Sequence, residues 1–313
     1  DAQKINTNAE LGDMIKVEIH SKEFGRIATQ NAKNVILQKI REEERKVLYD
    51  QYYGMEKEVV TGIVQRVMGK NVSVNLGKAD GILSENEQVK GEKFEPTERI
   101  KVYILEVKDT PKGPRILLSR THPGLVKRLF ESEVAEVKDG TVEIKSIARE
   151  AGSRTKIAVW SNDPDVDPVG ACVGMNGARV NSIVEELRGE KIDIINWDEN
   201  PAILIENALS PAKVIAVMAD PDEKTALVVV PDYQLSLAIG KEGQNARLAA
   251  RLTGFKIDIK SETQARESGE LYDYDDEDEY YDEEEYSEEG AVESEETETE
   301  ETEEVSEETT VEE

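Results

Sequence analysis

Apolar Ile15, Val17 and Ile19 alternate with Lys16, Glu18 and His20, which predicts a strand. The period then lengthens. Ile27, Ala28, Ala32, Val35, Ile36, Ile40, Val47 and Leu48 recur mostly at three- and four-residue spacing, which predicts a long helix. Its fully charged stretch from Arg41 to Lys46 is expected to be solvated. Between residues 56 and 120 the period returns to two. Val60, Gly62 and Val64, then Val72, Val74 and Leu76, then Ile100, Val102 and Ile104 alternate with mostly polar neighbours. Further apolar residues sit at Ile82, Leu83 and at Ile116, Leu117, Leu118, and glycines or prolines punctuate the runs. Five short strands with tight turns suit a small closed barrel of the OB type, whereas a sandwich needs more strands.

Residues 121–266 hold an internal repeat. Gly174, Met175, Asn176 and Gly177 are followed by the apolar positions Val180, Ile183, Val184 and Leu187, then by Lys191-Ile-Asp-Ile. Gly240, Lys241, Glu242 and Gly243 are followed by an alanine- and leucine-rich helix pattern, then by Lys256-Ile-Asp-Ile. The glycine pairs are 66 residues apart, and the second strand of each copy follows at nearly equal distance. The same internal order twice implies two copies of one α/β unit. The link between them is short: Asp193 is expected to end one strand and Pro201 to open the next helix.

Charge changes the picture at one end. The chain of 313 residues carries a net charge of −29, but residues 267–313 hold 26 acids and no Lys or Arg. The remainder has 42 acids against 39 bases and is close to neutral. The tail, poor in aliphatics, is expected to be disordered. One cysteine, Cys172, and two histidines argue against a disulfide scaffold or a Cys/His metal site. The apolar runs are too short to span a bilayer, and no signal peptide opens the chain. The expectation is a cytoplasmic protein away from the membrane. Asp1 in place of Met suggests a fragment lacking an N-terminal portion.

The chemistry lies in the two Gly-x-x-Gly motifs. Each is preceded by a short apolar segment and opens a helix. Glycines let a phosphodiester backbone approach, and a helix start offers free N–H groups and a positive dipole end. A KH domain clamps about four nucleotides in this way. The candidate RNA-binding residues are Gly174, Met175, Asn176, Gly177 and Arg179 in the first copy. In the second they are Gly240, Lys241, Glu242, Gly243 and Arg247. Lys145, Arg149, Arg154 and Lys156, before the first loop, and Arg66 and Lys70 in the barrel are further candidates. Singly, each could be ordinary mixed-charge surface; together they put cations where phosphates would lie. Lys101, Lys108, Lys112, Arg115 and Arg120 add charge to the barrel, while Tyr103 is expected in its core. Asp163, Asp165 and Asp167, interrupted by prolines, read as a polar turn and not a metal loop. Cys172 reads as a packing residue. No catalytic constellation, cofactor motif or metal site is recognised.

With these motifs in place, residues 1–266 resemble the bacterial NusA family of transcription termination/antitermination and elongation factors. The likeness rests on Ile100-Lys-Val-Tyr-Ile, Gly113-Pro-Arg-Ile-Leu-Leu-Ser-Arg-Thr-His-Pro and Arg149-Glu-Ala-Gly-Ser-Arg-Thr-Lys-Ile-Ala-Val. It rests equally on Asp167-Pro-Val-Gly-Ala-Cys-Val-Gly-Met and Leu237-Ala-Ile-Gly-Lys-Glu-Gly-Gln-Asn-Ala-Arg-Leu-Ala. The resemblance implies a multidomain α+β protein. A partial N-terminal α/β domain and linker helix (1–55) precede an S1-type OB β-barrel (56–120), two type II KH domains (121–200 and 201–266) and the disordered acidic tail (267–313). It implies single-stranded nascent RNA and RNA polymerase as partners, the latter through the N-terminal domain, with other antitermination factors possible and a monomeric chain. Family members often carry a basic residue inside the first loop. Met175 and Asn176 stand there instead, which shifts weight to Arg179.

The expected mechanism is a continuous RNA-binding surface in which each module raises the effective concentration of the next. The tail is expected to solvate the chain, or alternatively to compete with RNA for the KH cations. Other classes are an RNA-processing accessory protein and a KH-based interaction scaffold. The order of modules argues against the first, because the exoribonuclease polynucleotide phosphorylase places one KH before its S1 module.

Overall fold

The computed structural model describes residues 25–111 and 113–269. The strand expected around Ile15–His20, Lys112 and nearly all of the acidic tail lie outside the described residues.

Helix α1 (Arg26–Tyr53) matches the long helical pattern. Its last turns close the bottom of a barrel. Tyr52 is buried there, its hydroxyl donating to the Leu76 carbonyl at 3.1 Å, and Leu48 and Tyr49 pack against the barrel core. The barrel contains β1 (Val59–Met68), β2 (Asn71–Asn75), β3 (Asp80–Leu83), β4 (Arg99–Lys108) and β5 (Arg115–Ser119). Around it the order is β1-β2-β3-β5-β4, and β4 pairs back onto β1 with Val60 opposite Val102. The period-two residues Val64, Val72, Val74, Ile100, Val102, Ile104, Ile116 and Leu118 point inward and are buried. Closure leaves the sheet without a free edge.

Helix α2 (Pro123–Glu133) opens the first repeat unit. Pro123 sits at its first position, and the His122 ring accepts from the Gly124 N–H at 3.0 Å. The short α3 (Ala135–Lys138) leads to β6 (Val142–Glu150), β7 (Arg154–Ser161), α4 (Pro168–Val173), α5 (Ala178–Glu186) and β8 (Lys191–Asn196). The second unit contains α6 (Pro201–Ala208), β9 (Ala216–Asp220), β10 (Thr225–Val230), α7 (Leu235–Ile239), α8 (Gln244–Thr253), β11 (Lys256–Ser261) and α9 (Glu262–Glu267). In both, the first two strands are antiparallel and the last two parallel. Both expected Lys-Ile-Asp-Ile strands form. The first continues to Asn196 instead of ending at Asp193, because Ile194, Ile195 and Asn196 keep pairing with β7.

The modules share cores. Tyr103 of β4 and Val59 of β1 join Leu125, Phe130, Ile157, Cys172 and Ile183 of the first repeat unit. On the other face of its sheet, Ala148, Ala158 and Ile195 pack against Leu204, Ile205, Leu248 and Leu252 of the second. The first unit's sheet is therefore covered on both faces. Arg120 reinforces the barrel joint from the interior. Its side chain is 2 % exposed, pairs with Glu92 at 2.5 Å, and donates to the carbonyls of Lys101 and Glu186. This corrects its expected place on the barrel surface: a guanidinium with five donors can hold three elements together once its charge is paired. Among the described residues no helix is long and apolar enough to cross a membrane.

Candidate nucleic-acid interface

The two Gly-x-x-Gly loops have the same backbone conformation. Gly174 has φ 74° and ψ 174°, and Gly240 has φ 76° and ψ 174°, a region open essentially to glycine alone. A Cβ on Gly174 would lie 2.8 Å from Cγ of Arg179, and one on Gly240 would lie 2.8 Å from Cβ of Asn245. Asn176 and Glu242 follow in the left-handed region, and then Gly177 and Gly243 at φ 74° and 73°. Each loop closes with the second glycine's N–H donating to the first glycine's carbonyl.

The loops end as the caps of α5 and α8. Glycine has no side chain to satisfy the first-turn N–H groups, and neither first turn contains an acid. No side chain caps either start, and the first helical N–H of each, Ala178 and Gln244, bonds back to the Met175 and Lys241 carbonyls, so what each start offers phosphate is chiefly its positive dipole end. Met175 projects from the first loop, 86 % exposed. Lys241 projects from the second, and among the described residues no carboxylate lies within ion-pairing distance of it.

The remaining sequence candidates divide by what they touch. Arg179 donates to both Glu136 oxygens and, at 2.7 Å, to the Ala171 carbonyl. It ties α5 to the end of α4. Asn245, 66 residues on, donates to the Leu209 and Ala238 carbonyls and does the same in the second unit. Only Nη1 of Arg179 is committed to its bonds, and the side chain stays 36 % exposed beside the first loop. Arg247 bridges to Glu150 at 2.6 Å and to the Glu242 carbonyl, remaining exposed beside the second loop. The hydrogen bond from Arg247 holds the Glu150 carboxyl below its ordinary range. Lys145 pairs with Glu143, and Lys70 with Glu85 at the surface. Arg66 is exposed on β1, just past a bulge.

Two candidates, Arg149 and Lys156, are corrected outright, and a third, Arg154, is engaged in the same network. The side chain of Arg149 is 1 % exposed; it pairs with both oxygens of Glu190 at 2.8 and 2.9 Å and donates to the His122 carbonyl. Burial opposes ionisation of Glu190, but Arg149, Thr155 and the Gly152 N–H together hold its carboxyl below the usual range. Lys156 is fully buried, pairing with Asp193 at 3.0 Å and donating to the Ser210 carbonyl; burial pulls its ammonium below its ordinary range. Arg154 forks onto the same Asp193 at 2.6 and 2.8 Å. Arg149 and Lys156 pin the sheet to its neighbours and do not face solvent phosphate, whereas Arg154 ties β7 to β8 and stays 26 % exposed.

Tyr103 is in the core as expected, stacked on His122 at 4.7 Å. Cys172 is buried too, and burial pushes its thiol up to about 11, which removes it as a nucleophile at neutral pH. Asp163 and Asp167 accept from nearby backbone N–H groups, as a polar turn and a helix cap do. Among the described residues no group of three His, Cys, Asp or Glu is placed to hold a metal.

One feature had no sequence signal. A crevice of about 440 Å³ joins the barrel residues Asn86 and Lys90, the β6–β7 turn at Glu150, and Lys241 and Arg247 of the second unit. It exists only because the shared cores set three distant segments side by side.

With the geometry described, comparison with known proteins agrees along the chain. Residues 1–46 match the NusA N-terminal domain and 54–119 the S1 RNA binding domain. Residues 120–197 match the NusA-like first KH domain and 201–267 the NusA-like second KH domain. The chain is 58 % identical over 269 residues to the transcription termination/antitermination protein NusA of Bacillus subtilis, covering 86 % of this chain and 72 % of that one. It is 56 % identical over 273 residues to that of Halalkalibacterium halodurans, covering 87 % and 72 %. To that of Thermus thermophilus it is 44 % identical over 258 residues, covering 82 % and 67 %. The chain belongs to the NusA family of transcription termination/antitermination proteins.

Proposed function

We propose that this chain grips single-stranded nascent RNA with its two Gly-x-x-Gly loops and so acts in transcription termination and antitermination. The observation that carries this is the pair of loops: identical in backbone, each opening an uncapped helix, and mounted on one body by shared cores. The residues assigned to RNA are Gly174, Met175, Asn176, Gly177 and Arg179, then Gly240, Lys241, Glu242, Gly243 and Arg247, with Arg66 and Lys70 at the barrel's periphery. The working division keeps the barrel at 56–120 and the KH units at 121–200 and 201–266. The N-terminal portion, matched at residues 1–46, is assigned to docking on RNA polymerase.

Rigid mounting sharpens the idea of mutual reinforcement. The second loop is placed by packing, not by a flexible tether, so a strand bound at the first meets it at fixed distance and orientation. The test is fluorescence anisotropy of a labelled single-stranded RNA across a salt series. The variant carries Met175→Asp, Asn176→Asp and Lys241→Asp, which makes both loops acidic and spares every glycine. Binding that is steeply salt-dependent in the parent and lost in the variant is expected. Equal binding by a variant with the parent's melting temperature would move the RNA off the loops.

A further inference from the structure

The chain has two tryptophans, and the fold brings them together. Trp160 lies near the end of β7, and Trp197 directly follows β8, its parallel neighbour. Their rings meet edge to face, with centroids 5.6 Å apart and planes at 86°. Trp197 packs against the core between the two KH units, while Trp160 is 40 % exposed. Lys145 of the adjacent β6 holds its ammonium 5.6 Å from the centroid of the Trp197 ring and pairs with Glu143 on the same strand.

The pair sits on the side of the sheet away from the first loop's helices. Ile157 and Val159 point into the core with Cys172 of α4 and Ile183 of α5. Ala158 points the other way, toward α6 and α8, and Trp160 follows it at the strand period of two. Neither loop uses this cluster. Here one ring is braced by another and left 40 % exposed, with the Lys145 ammonium over the bracing ring, Trp197. Single-strand binders offer a nucleobase this combination: a π surface for stacking and a positive charge for the neighbouring phosphate. The ammonium favours a polyanion over an uncharged peptide as the occupant.

We propose that Trp160, backed by Trp197 whose ring carries the Lys145 ammonium, is a stacking platform for an unpaired nucleobase of single-stranded RNA, outside both Gly-x-x-Gly loops. The platform rests on the RNA-binding reading above and adds a contact to it. The stacked base displaces no fold-holding bond; only the surface pair between Lys145 and Glu143 is shared with the incoming phosphate.

Because these are the chain's only tryptophans, their emission reports this site alone. The intact chain is titrated with a labelled single-stranded RNA of about 16 nucleotides, following label anisotropy and tryptophan emission in parallel. Emission should be quenched over the same concentrations at which anisotropy rises. Trp160→Ala should raise Kd roughly 5- to 100-fold and Trp160→Phe far less, since a phenyl ring still stacks. A rise in anisotropy with unchanged emission and unchanged Kd in Trp160→Ala overturns the platform and leaves RNA binding at the loops standing. No rise in anisotropy overturns both. Quenching by a proline-rich peptide but not by RNA would assign the pair to a protein partner and overturn the proposal.

Discussion

Replacing Arg149 by Met separates two accounts of the first KH unit. In the sequence, Arg149 reads as a phosphate ligand; in the fold it neutralises Glu190, whose side chain is fully buried. Removing one partner of a buried, hydrogen-bonded pair leaves an uncompensated charge and costs about 3–5 kcal/mol. For a body of this size each kcal/mol moves Tm by about 2–4 °C, so the loss should be about 6–20 °C. Replacing both, Arg149→Met with Glu190→Leu, should recover much of it, since no charge is then stranded.

The pH dependence has a definite sign. In the parent the Glu190 carboxyl lies below its ordinary value, so its contribution is present above that value and lost as pH falls through the lowered one. Without Arg149, burial dominates and raises the folded-state value. The carboxyl then destabilises at neutral pH, and the deficit of the variant narrows on acidification. Thermal melts by circular dichroism at pH 7 and 5 measure this. RNA anisotropy at a temperature where the variant is folded should show little change in Kd. An unchanged Tm with RNA binding weakened tenfold or more would refute the reasoning and return Arg149 to the interface.

Three further outcomes follow from the geometry. Gly240→Ala places a methyl group in a glycine-only backbone region and against Asn245, so it should cost about 1–3 kcal/mol in a urea melt and weaken RNA binding as well. Glu150→Gln removes a carboxylate beside the second loop and releases Arg247; it should tighten RNA binding by up to about fivefold at low salt, an advantage that disappears at 1 M salt in anisotropy titrations. Cys172 should resist a thiol reagent in the native protein and react at the global unfolding rate, because its thiol is buried and pushed up to about 11.

Much of the architecture was legible because it is written in local periods. Alternation at Val72–Leu76 and Ile100–Ile104 marks barrel strands, and the 66-residue repeat marks two equivalent units. The loops were legible because glycine is demanded by backbone conformation, which tertiary packing does not change. The cations were not. Lys156 sits between Thr155 and Ile157 as a solvated strand residue would, and nothing in β7 announces that α6 of the next unit covers that face. Arg149 finds Glu190 forty-one residues away, and Arg120 finds Glu92 twenty-eight residues away, across two barrel strands. A charge pattern states where cations occur along a chain, but burial depends on which element lies on top. The same reason hides the crevice at Lys90 and Lys241 and the Trp160–Trp197 pair, each assembled from segments far apart in sequence.

The central claim is that the uncapped starts of α5 and α8 hold RNA phosphate. Amide chemical shifts of the isotope-labelled chain, recorded with and without single-stranded RNA, test it most directly. The account predicts the largest shifts at the first-turn N–H groups of Arg179 and Val180 and of Asn245 and Ala246, with the Arg149 guanidinium resonance undisturbed. Shifts confined to the barrel strands, with both loops silent at saturating RNA, would contradict it.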